Sequence, residues 1–527
     1  MTLNGHSLIA GKTTAGTGGT TYGMNPATNE QLEPAYSLLT EDQLKLATVA
    51  AAEAYPSFSA LEPEIHAAFL EAIADNIEAI GEEELITRAS QETGLPAPRL
   101  QGERARTTGQ LRLFANVVRT GDFRGVRIDP ALPDRTPLPR ADIRQRQIPL
   151  GPVAVFGASN FPFAFSTAGG DTASALAAGC PVVFKAHNAH PGTGELVGQA
   201  VVKAVKDFGL HPGVFALVYG PGASIGQALV ADPAIKAVGF TGSQAAGIAL
   251  MKTAAARREP IPVYAEMSSL NPVFVFEGAL KGDIDALAQQ YVASVTGSSG
   301  QLCTSPGLLF APEGEAGDEL AAAVGRAVSG CSGQTMLTEG IAGSWNAGTE
   351  AIASAKGVDL IGKGLEGQTS NAPAPTIFGT QVRDFVSNHV LHEEIFGAAS
   401  LVIRYTSSQD LIEAINRLEG QLTASLQLTE EDYPTAAPLI PALEQKVGRI
   451  IINGWPTGVE VGHAMVHGGP FPATSDSRTT SVGTLAINRF LRPVAYQNIP
   501  QELLPSPLQD ENPWKVNRLI DGKPEHG

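Results

Sequence analysis

The sequence predicts an α/β protein built around a parallel sheet, and two features of the chain carry this prediction. From Pro152 onward, short apolar runs alternate with helical stretches; the runs are VAVFG, PVVFK, VFALVYG, IKAVGF and PVYAE. This alternation requires crossover connections and therefore parallel strands. Upstream, residues 41–120 are predicted to be mainly helical, because Phe69, Ile73, Ile77 and Ile80 recur at three- and four-residue spacing.

The elements can be placed in chain order. The first apolar run is followed by a predicted helix over 162–178, and the second by a predicted helix over 194–208. A second α/β region begins after Met267 and extends to about residue 465. Between the helical N-terminal part and the first run, segment 124–150 carries five prolines, which exclude a continuous helix, and part of it alternates like an exposed strand.

Charge and cysteine usage exclude several classes of function. The 36 Lys and Arg residues against 53 Asp and Glu give a net charge of −17, which argues against nucleic acid or an anionic membrane as a partner. Three cysteines do not form a disulfide framework, and the N-terminus has no signal-peptide pattern, so we expect a cytoplasmic location. The longest uncharged run, 147–170, is broken by prolines and glycines and predicts no transmembrane span.

Polar residues cluster where the predicted strands end. Ser159 and Asn160 follow the first strand, Lys185 ends the second, Thr241–Ser243 follow the fourth, and Glu266 ends the fifth. Ligands of parallel α/β sheets bind beyond the carboxyl ends of the strands. The sequence therefore predicts a binding site at this edge of the sheet.

Each of these motifs has two interpretations when it is taken alone. The strand-to-helix turn Phe240–Gly247 either presents free N–H groups to a phosphate or is an ordinary turn, and the usual G-x-G-x-x-G fingerprint is absent. Asn160 could donate to an oxyanion or cap a helix. Glu266 could be a general base or a solvated carboxylate.

Cys303 lies in an unusual context for a structural cysteine. The surrounding stretch TGSSGQLCTSPG contains no charge and is dominated by Ser, Thr and Gly rather than by apolar neighbours. A buried packing role fits Cys180 better, and Cys331 has no distinctive context. We therefore consider Cys303 a candidate nucleophile.

The order of these motifs resembles the aldehyde dehydrogenase superfamily over residues 20–490. In chain order they are S-N-F-P, a strand-end Lys, F-T-G-S-x-x-x-G, Glu266 before x-S-x-x-N-P, G-Q-x-C and E-E-I-F-G. Within the superfamily the sequence resembles the bacterial α-ketoglutaric semialdehyde (2,5-dioxovalerate) dehydrogenases, in the stretches ASNFPFAFSTAGGDTASALAAGC, SSGQLCTSPG and HGGPFPATSDSRTTSVGT.

This resemblance implies a fold and a chemistry. It implies a Rossmann-type cofactor domain (1–123 and 151–266), an α/β catalytic domain (267–465) and an oligomerisation arm (124–150 and 488–527), in a homodimer or homotetramer. It also implies that Cys303 attacks an aldehyde, that the Asn160 amide and the Cys303 N–H hold the oxyanion, and that Glu266 activates the hydrolytic water. It implies no metal.

The resemblance further implies where NAD or NADP binds. Lys185 would lie near the adenosine ribose, Glu394 on the nicotinamide ribose, and Phe396 beside it. Many NAD-specific members carry Glu where this chain has Asn188, and the loss of that carboxylate predicts that NADP is accepted as well as NAD. The complete predicted cofactor set is Phe156, Ser159, Lys185, Asn188, Thr241, Gly242, Ser243, Gly247, Glu394 and Phe396. Ser268–Ser269 and Ala398 depart from the family pattern of Gly-Gly and Pro.

The substrate site is predicted from a helix and a loop. Arg106 and Gln110 lie one helical turn apart and could hold a substrate carboxylate, although Arg106 could equally be a surface or helix-pairing residue. Phe161 and Phe165 would line the wall.

Four alternatives to a 2,5-dioxovalerate dehydrogenase are considered. The first is a broad or long-chain fatty aldehyde dehydrogenase that uses NADP. The second is an acylating enzyme, which is disfavoured because Glu266 is present to serve hydrolysis. The third is an inactive paralogue, which is disfavoured because the predicted catalytic residues are retained. A cysteine hydrolase without a redox role needs a histidine base, and none of the ten histidines is an obvious partner for Cys303.

Overall fold

Residues 2–527 are described by the structure, a computed structural model. Up to Glu266 they form eleven strands and eight α-helices. The strands are β1 (Ser7–Ile9), β2 (Lys12–Thr14), β3 (Thr20–Asn25), β4 (Glu30–Ser37), β5 (Val126–Asp129), β6 (Ile143–Pro149), β7 (Val153–Phe156), β8 (Val182–Lys185), β9 (Phe215–Val218), β10 (Ala237–Thr241) and β11 (Val263–Glu266). The helices are α1 (Glu41–Phe58), α2 (Pro63–Glu78), α3 (Glu82–Thr93), α4 (Ala97–Thr120), α5 (Gly170–Ala178), α6 (Pro191–Asp207), α7 (Gln227–Ala231) and α8 (Gln244–Ala256).

The first sheet has the strand order β11-β10-β7-β8-β9-β1-β2. Its five strands from β11 to β9 are parallel, and their registers bring the polar strand ends to one edge: Phe156 pairs with Lys185 and with Phe240, and Thr241 pairs with Glu266. β1 joins antiparallel to β9. The five parallel strands coincide with the five apolar runs, which confirms that part of the prediction.

The helical layer is built as the residue spacing predicts. The apolar stripe of α2 is fully buried, with Phe69 and Ile73 at 0% exposure and Ile77 at 1%. α1 begins at a capping box in which Thr40 and Gln43 bond each other's backbone, and α4 ends where Gly121 takes the left-handed conformation.

The helix predicted over 162–178 begins only at Gly170, so the predicted start is wrong. The N–H groups of Phe163 and Ala164 both bond to the buried Glu103 carboxylate, at 2.8 and 3.0 Å. Glu103 therefore holds these residues as a loop, and Gly170 leaves that loop at a φ of 50°. The loop keeps Asn160 and Phe161 at the edge of the sheet.

The second sheet is formed by residues 273–452. Its strands are β12 (Val273–Val275), β13 (Leu308–Pro312), β14 (Val358–Lys363), β15 (Thr376–Gln381), β16 (Ala399–Tyr405), β17 (Gln421–Gln427) and β18 (Val447–Ile452). The strand order is β14-β15-β16-β13-β12-β17-β18, and all strands are parallel except β14. The accompanying helices are α9 (Ile284–Thr296), α10 (Glu315–Ser329), α11 (Glu339–Ala353), α12 (Val382–Ser387), α13 (Ser408–Arg417), α14 (Tyr433–Ala436) and α15 (Ile440–Glu444).

A third, smaller sheet joins segment 124–150 to the C-terminal tail. The tail contributes β19 (Leu491–Gln497), β20 (Arg518–Ile520) and β21 (Lys523–Glu525), and the strand order is β19-β6-β5-β20-β21. A small apolar cluster that includes Val126, Ile128, Leu508 and Val516 fills the space beneath it. Across residues 2–527, no helix combines the length and the apolarity that a bilayer span requires.

Candidate active site

A cavity of about 340 Å³ opens at the carboxyl edge of the first sheet. Its walls come from the loops after β7, β10 and β11, from the loop that carries Cys303, from α11 and from residues 394–396. Nine of the residues predicted from the sequence line it: Ser159, Asn160, Thr241, Gly242, Ser243, Glu266, Cys303, Glu394 and Phe396. Segments that are up to about 240 residues apart in the chain therefore meet around one space.

The thiol loop follows α9 through a tight left-handed turn. Ser298, Ser299 and Gly300 have φ values of 54°, 58° and 67°. Only glycine fits at the third position, because a Cβ on Gly300 would lie 2.3 Å from the backbone carbon of Gly397. The side chain of Asn271 then donates to the Cys303 and Ser305 carbonyls, both at 2.9 Å. The loop is thus rigidly held, and it presents the thiol to the cavity.

Asn160 is buried and bonded to the thiol loop. Its Nδ2 donates to the carbonyl of Gln301 at 2.9 Å, and the side chain is 6% exposed. Because a primary amide carries two N–H groups, one donor remains for the cavity that Asn160 and Cys303 both line.

Glu266 is the centre of a buried hydrogen-bond cluster. Its Oε1 lies 2.8 Å from His467 Nε2, and its Oε2 accepts from the Ser481 hydroxyl at 2.9 Å. The same His467 Nε2 lies 3.5 Å from Cys303 Sγ. Burial alone would raise the pKa of Glu266, but His467, Ser481 and the Cys303 thiol together hold it below its usual value. Burial and the neighbouring Glu266 carboxylate raise the pKa of the Cys303 thiol well above its ordinary value.

The expectation that no histidine accompanies Cys303 is wrong. His467 is 1% exposed, and its Nε2 lies close to both the thiol and the carboxylate, although His467 is 164 residues from Cys303 in the chain. It arrives on a segment over residues 463–484 that runs along β11, where Thr474 forms a bridge with Glu266 and Met267 N–H donates to Ala473. The only available signal was the stretch HGGPFPATSDSRTTSVGT, which contains both His467 and Ser481.

Glu394 also lines the cavity. Ser268 and the Ser269 N–H favour its ionised form, but burial outweighs them and raises its pKa to about 7. The departure from Gly-Gly at 268–269 therefore places a hydroxyl group near this carboxylate.

The remaining predicted cofactor residues do not line the cavity. Lys185 Nζ donates to Asn188 Oδ1 at 2.9 Å, and burial lowers the pKa of Lys185 to about 8. Phe156 is buried against Phe240 rather than exposed in the cavity. Gly247 lies where a Cβ would approach the Met267 sulfur to 2.6 Å, so it serves close packing of α8.

Of the four residues predicted to bind the substrate, three lie together and the fourth lies elsewhere. The Arg106 guanidinium lies over the Phe165 ring at 5.2 Å, and Phe165 contacts both Phe161 and His467. Within residues 2–527, Arg106 has no salt bridge to a carboxylate. Gln110 does not join this group, because it is 2% exposed and accepts a hydrogen bond from the Gly170 N–H.

Comparison with known proteins identifies the family of this fold and site. Residues 14–470 match the aldehyde dehydrogenase family. The chain belongs to this family. It is an NAD(P)-dependent aldehyde oxidoreductase, and the family predicted from the order of the motifs is confirmed.

Two curated relatives match over nearly their whole length. The chain is 50% identical to α-ketoglutaric semialdehyde dehydrogenase 2 of Azospirillum brasilense over 526 residues, which is 100% of both chains. It is 46% identical to α-ketoglutaric semialdehyde dehydrogenase of Acinetobacter baylyi, over 98% of both chains.

Solved structures confirm the predicted aldehyde dehydrogenase-like fold. Proline utilization A from Bdellovibrio bacteriovorus superposes with a TM-score of 0.80 at 22% identity, over 94% of this chain and 50% of that longer one. Aldehyde dehydrogenase C from Pseudomonas syringae, solved with NAD+ and octanal, has a TM-score of 0.79 at 21% identity, over 93% and 96% of the two chains.

Proposed function

We propose that this protein oxidises α-ketoglutaric semialdehyde to 2-oxoglutarate with NADP or NAD. The observation that carries the chemistry is the meeting of Cys303, Glu266 and Asn160 at one cavity on the carboxyl edge of the first sheet. The substrate is supported by the two relatives at 50% and 46% identity, which are dehydrogenases of this semialdehyde.

The reaction has two steps, and residues of this chain act in each. Cys303 loses its proton to the adjacent Glu266 carboxylate and attacks the aldehyde carbon, while the free Asn160 N–H and the Cys303 N–H stabilise the oxyanion. Each such donor lowers the barrier by roughly 3–4 kcal/mol. When hydride has left the adduct, a thioester remains on Cys303. Glu266, again ionised, removes a proton from the water that hydrolyses it.

NAD(P) fits the groups at the edge of the sheet, where it supplies the hydride acceptor. The first turn of α8, capped by Ser243, presents free N–H groups of the kind that bind a pyrophosphate. Lys185 and Asn188 are assigned to the adenosine ribose. Lys185 is buried with no carboxylate partner within residues 2–527, which favours a negatively charged ligand and supports the use of NADP. Glu394 and Phe396 are assigned to the nicotinamide ribose.

Arg106 is the group assigned to the substrate carboxylate. Its guanidinium is stacked on Phe165, and burial lowers its pKa, as expected for a cation without a bonded carboxylate. A planar fork of this kind binds a carboxylate through two hydrogen bonds. Phe161 and Phe165 form the apolar part of this wall.

The three sheets support a division of the chain into functional parts. We assign residues 1–123 and 151–266 to cofactor binding, 267–465 to catalysis, and 124–150 with 488–527 to an arm that joins subunits into a homodimer or homotetramer. All three cysteines are free, which supports a reducing, cytoplasmic location. Light scattering on the purified protein measures the number of subunits.

A substrate screen tests the proposal. The purified enzyme is assayed at 340 nm with 2,5-dioxovalerate, succinic semialdehyde and a long-chain aldehyde, each with NAD and NADP. We expect the highest kcat/KM for the dicarbonyl acid. A preference for the long-chain aldehyde would replace this assignment with a fatty aldehyde dehydrogenase.

A further inference from the structure

Both oxygens of Glu266 are held by donors from one C-terminal segment. His467 Nε2 lies 2.8 Å from Oε1, and the Ser481 hydroxyl donates to Oε2 at 2.9 Å. This segment also pairs with the strand that ends in Glu266, through the bridge between Thr474 and Glu266. The position of the carboxylate is therefore determined by the segment over residues 463–484 as well as by β11.

The geometry determines what His467 Nε2 can do. With Glu266 ionised, as its proposed role as proton acceptor requires, a nitrogen 2.8 Å from its oxygen carries the proton, because two lone pairs at that distance would repel. This holds whether the ring is neutral or an imidazolium. Nε2 then has no lone pair for Cys303 Sγ at 3.5 Å, so the thiol proton goes to Glu266 and not to the imidazole.

The other ring nitrogen is consistent with this arrangement. His467 Nδ1 is buried and has no hydrogen-bond partner within residues 2–527. A neutral ring protonated on Nε2 leaves only an acceptor there, whereas the opposite tautomer would leave an unpaired buried N–H group as well as a lone pair facing Glu266. Burial and packing against Phe165 also hold the His467 ring in place; the centroids of the two rings are 6.1 Å apart.

The charged surroundings show why Glu266 needs these donors. Besides its direct contact with His467, Glu266 interacts through its charge with four other titratable groups, Cys303, Glu394, Asp171 and Arg106. Burial and the two carboxylates favour the protonated form, and Arg106 is the only cation of those four. A protonated Glu266 cannot accept a proton from the thiol or from water.

We propose that His467 is a positioning residue that donates Nε2–H to Glu266 and keeps this carboxylate ionised and directed at Cys303. The role rests on the proposed function of Glu266 as the proton acceptor. Ser481 supplies the second donor, and neither residue lines the cavity. The segment over 463–484 thereby completes a site whose other members come from the first two sheets.

Two substitutions at His467 separate hydrogen-bond donation from base catalysis. His467→Gln keeps an N–H donor near the position of Nε2 but cannot act as a base, whereas His467→Leu fills a similar volume without a donor. We expect His467→Leu to lower kcat about tenfold to a hundredfold, the usual effect of a lost hydrogen bond to a charged group. The apparent pKa that defines the acid limb of its pH–rate profile should rise by about one unit or more. His467→Gln should remain within a few-fold of the wild type.

The test also needs a control variant and a measurement that does not depend on enzyme activity. His463→Gln, in the same segment but exposed, should behave as the wild type. Infrared difference spectra across pH, with Glu266→Gln as the reference, follow the protonation of Glu266 without any aldehyde, so the inference can be judged even if the substrate assignment fails. Ser481→Ala provides a second variant if His467→Leu does not fold, and its acid limb should move in the same direction.

The outcomes are decisive in both directions. A leucine variant with an unchanged profile and an unchanged infrared titration would overturn the inference. Equal loss of activity in the glutamine and leucine variants would also overturn it, since that result identifies His467 as a base. Activity in the glutamine variant, together with a raised acid limb in the leucine variant, supports it.

Discussion

Asn160 donates its side-chain amide to the carbonyl of Gln301 at 2.9 Å, which ties the loop after β7 to the loop that carries Cys303. The two loops belong to different sheets, so this bond sets the distance between the proposed oxyanion donor and the thiol. Asn160→Ala removes both the bond and the donor. We expect kcat to fall by about 10²–10³. Steady-state kinetics measures the loss, with the exposed Asn346→Ala as the control; a loss below about tenfold would contradict the role in the oxyanion site.

Cys303 is the only thiol that lines the cavity within residues 2–527. Cys303→Ser should abolish turnover, because a serine hydroxyl at this position is a far weaker nucleophile. Cys331→Ser removes a half-buried thiol outside the cavity and should retain wild-type kcat. Turnover near the wild-type rate in Cys303→Ser would exclude this nucleophile.

Glu266→Gln should separate the two halves of the reaction. The amide cannot remove a proton from water, so the thioester on Cys303 persists. Rapid mixing should show a burst of reduced cofactor that does not exceed one equivalent per site and that forms more slowly than in the wild type, because the amide cannot accept the Cys303 proton either. The steady rate that follows should be about 10²-fold or more below the wild type. Glu259→Gln, at an exposed carboxylate paired with Lys236, is the matched control. Normal steady turnover in Glu266→Gln would refute hydrolysis by this base.

The proposed role of Asn188 in the choice between NADP and NAD can be tested by changing its charge. Its side chain accepts from Lys185 Nζ and carries no charge to repel a 2′-phosphate. Asn188→Glu introduces that repulsion and should raise the KM for NADP by about tenfold or more with little change for NAD. Asn188→Gln, which is neutral, should leave both values near those of the wild type. An unchanged ratio of the two KM values in the glutamate variant would remove this residue from cofactor recognition.

Glu394 should make the folded protein less stable as pH rises. Burial raises its pKa from 4.5 to about 7, so the folded state holds a proton that the unfolded state releases at lower pH. Its stabilising contribution is fully present below pH 4.5 and is lost as the pH rises through about 7. Glu394→Gln replaces the carboxyl group with an amide that does not titrate. The melting temperature of the variant, relative to that of the wild type, should therefore increase from pH 5 to pH 8. A constant difference over that range, measured by calorimetry, would contradict the raised pKa.

The parts of the fold that were predictable are those encoded in local pattern. The apolar runs that became β7 to β10 are buried on both faces except at Thr241, and β11 is buried at its carboxyl end, so their composition indicates parallel strands. The register of these strands then brings the residues at their carboxyl ends to one edge, which is why polar residues as far apart as Ser159 and Glu266 could be expected to meet. The start of α5 was missed because its competitor, Glu103, lies on another helix.

By itself the sequence determined the parallel sheet, the family, and the placement of Cys303 in a loop of small residues that suits a nucleophile. Only the tertiary structure decided that His467 and Ser481 reach Glu266 and that Gln110 faces the interior. The physical reason is the sequence separation over which each interaction acts. Strand and helix periodicity and turn chemistry act within a few residues, whereas the hydrogen bond from His467 to Glu266 spans 201 positions and exists because the segment over 463–484 pairs with β11.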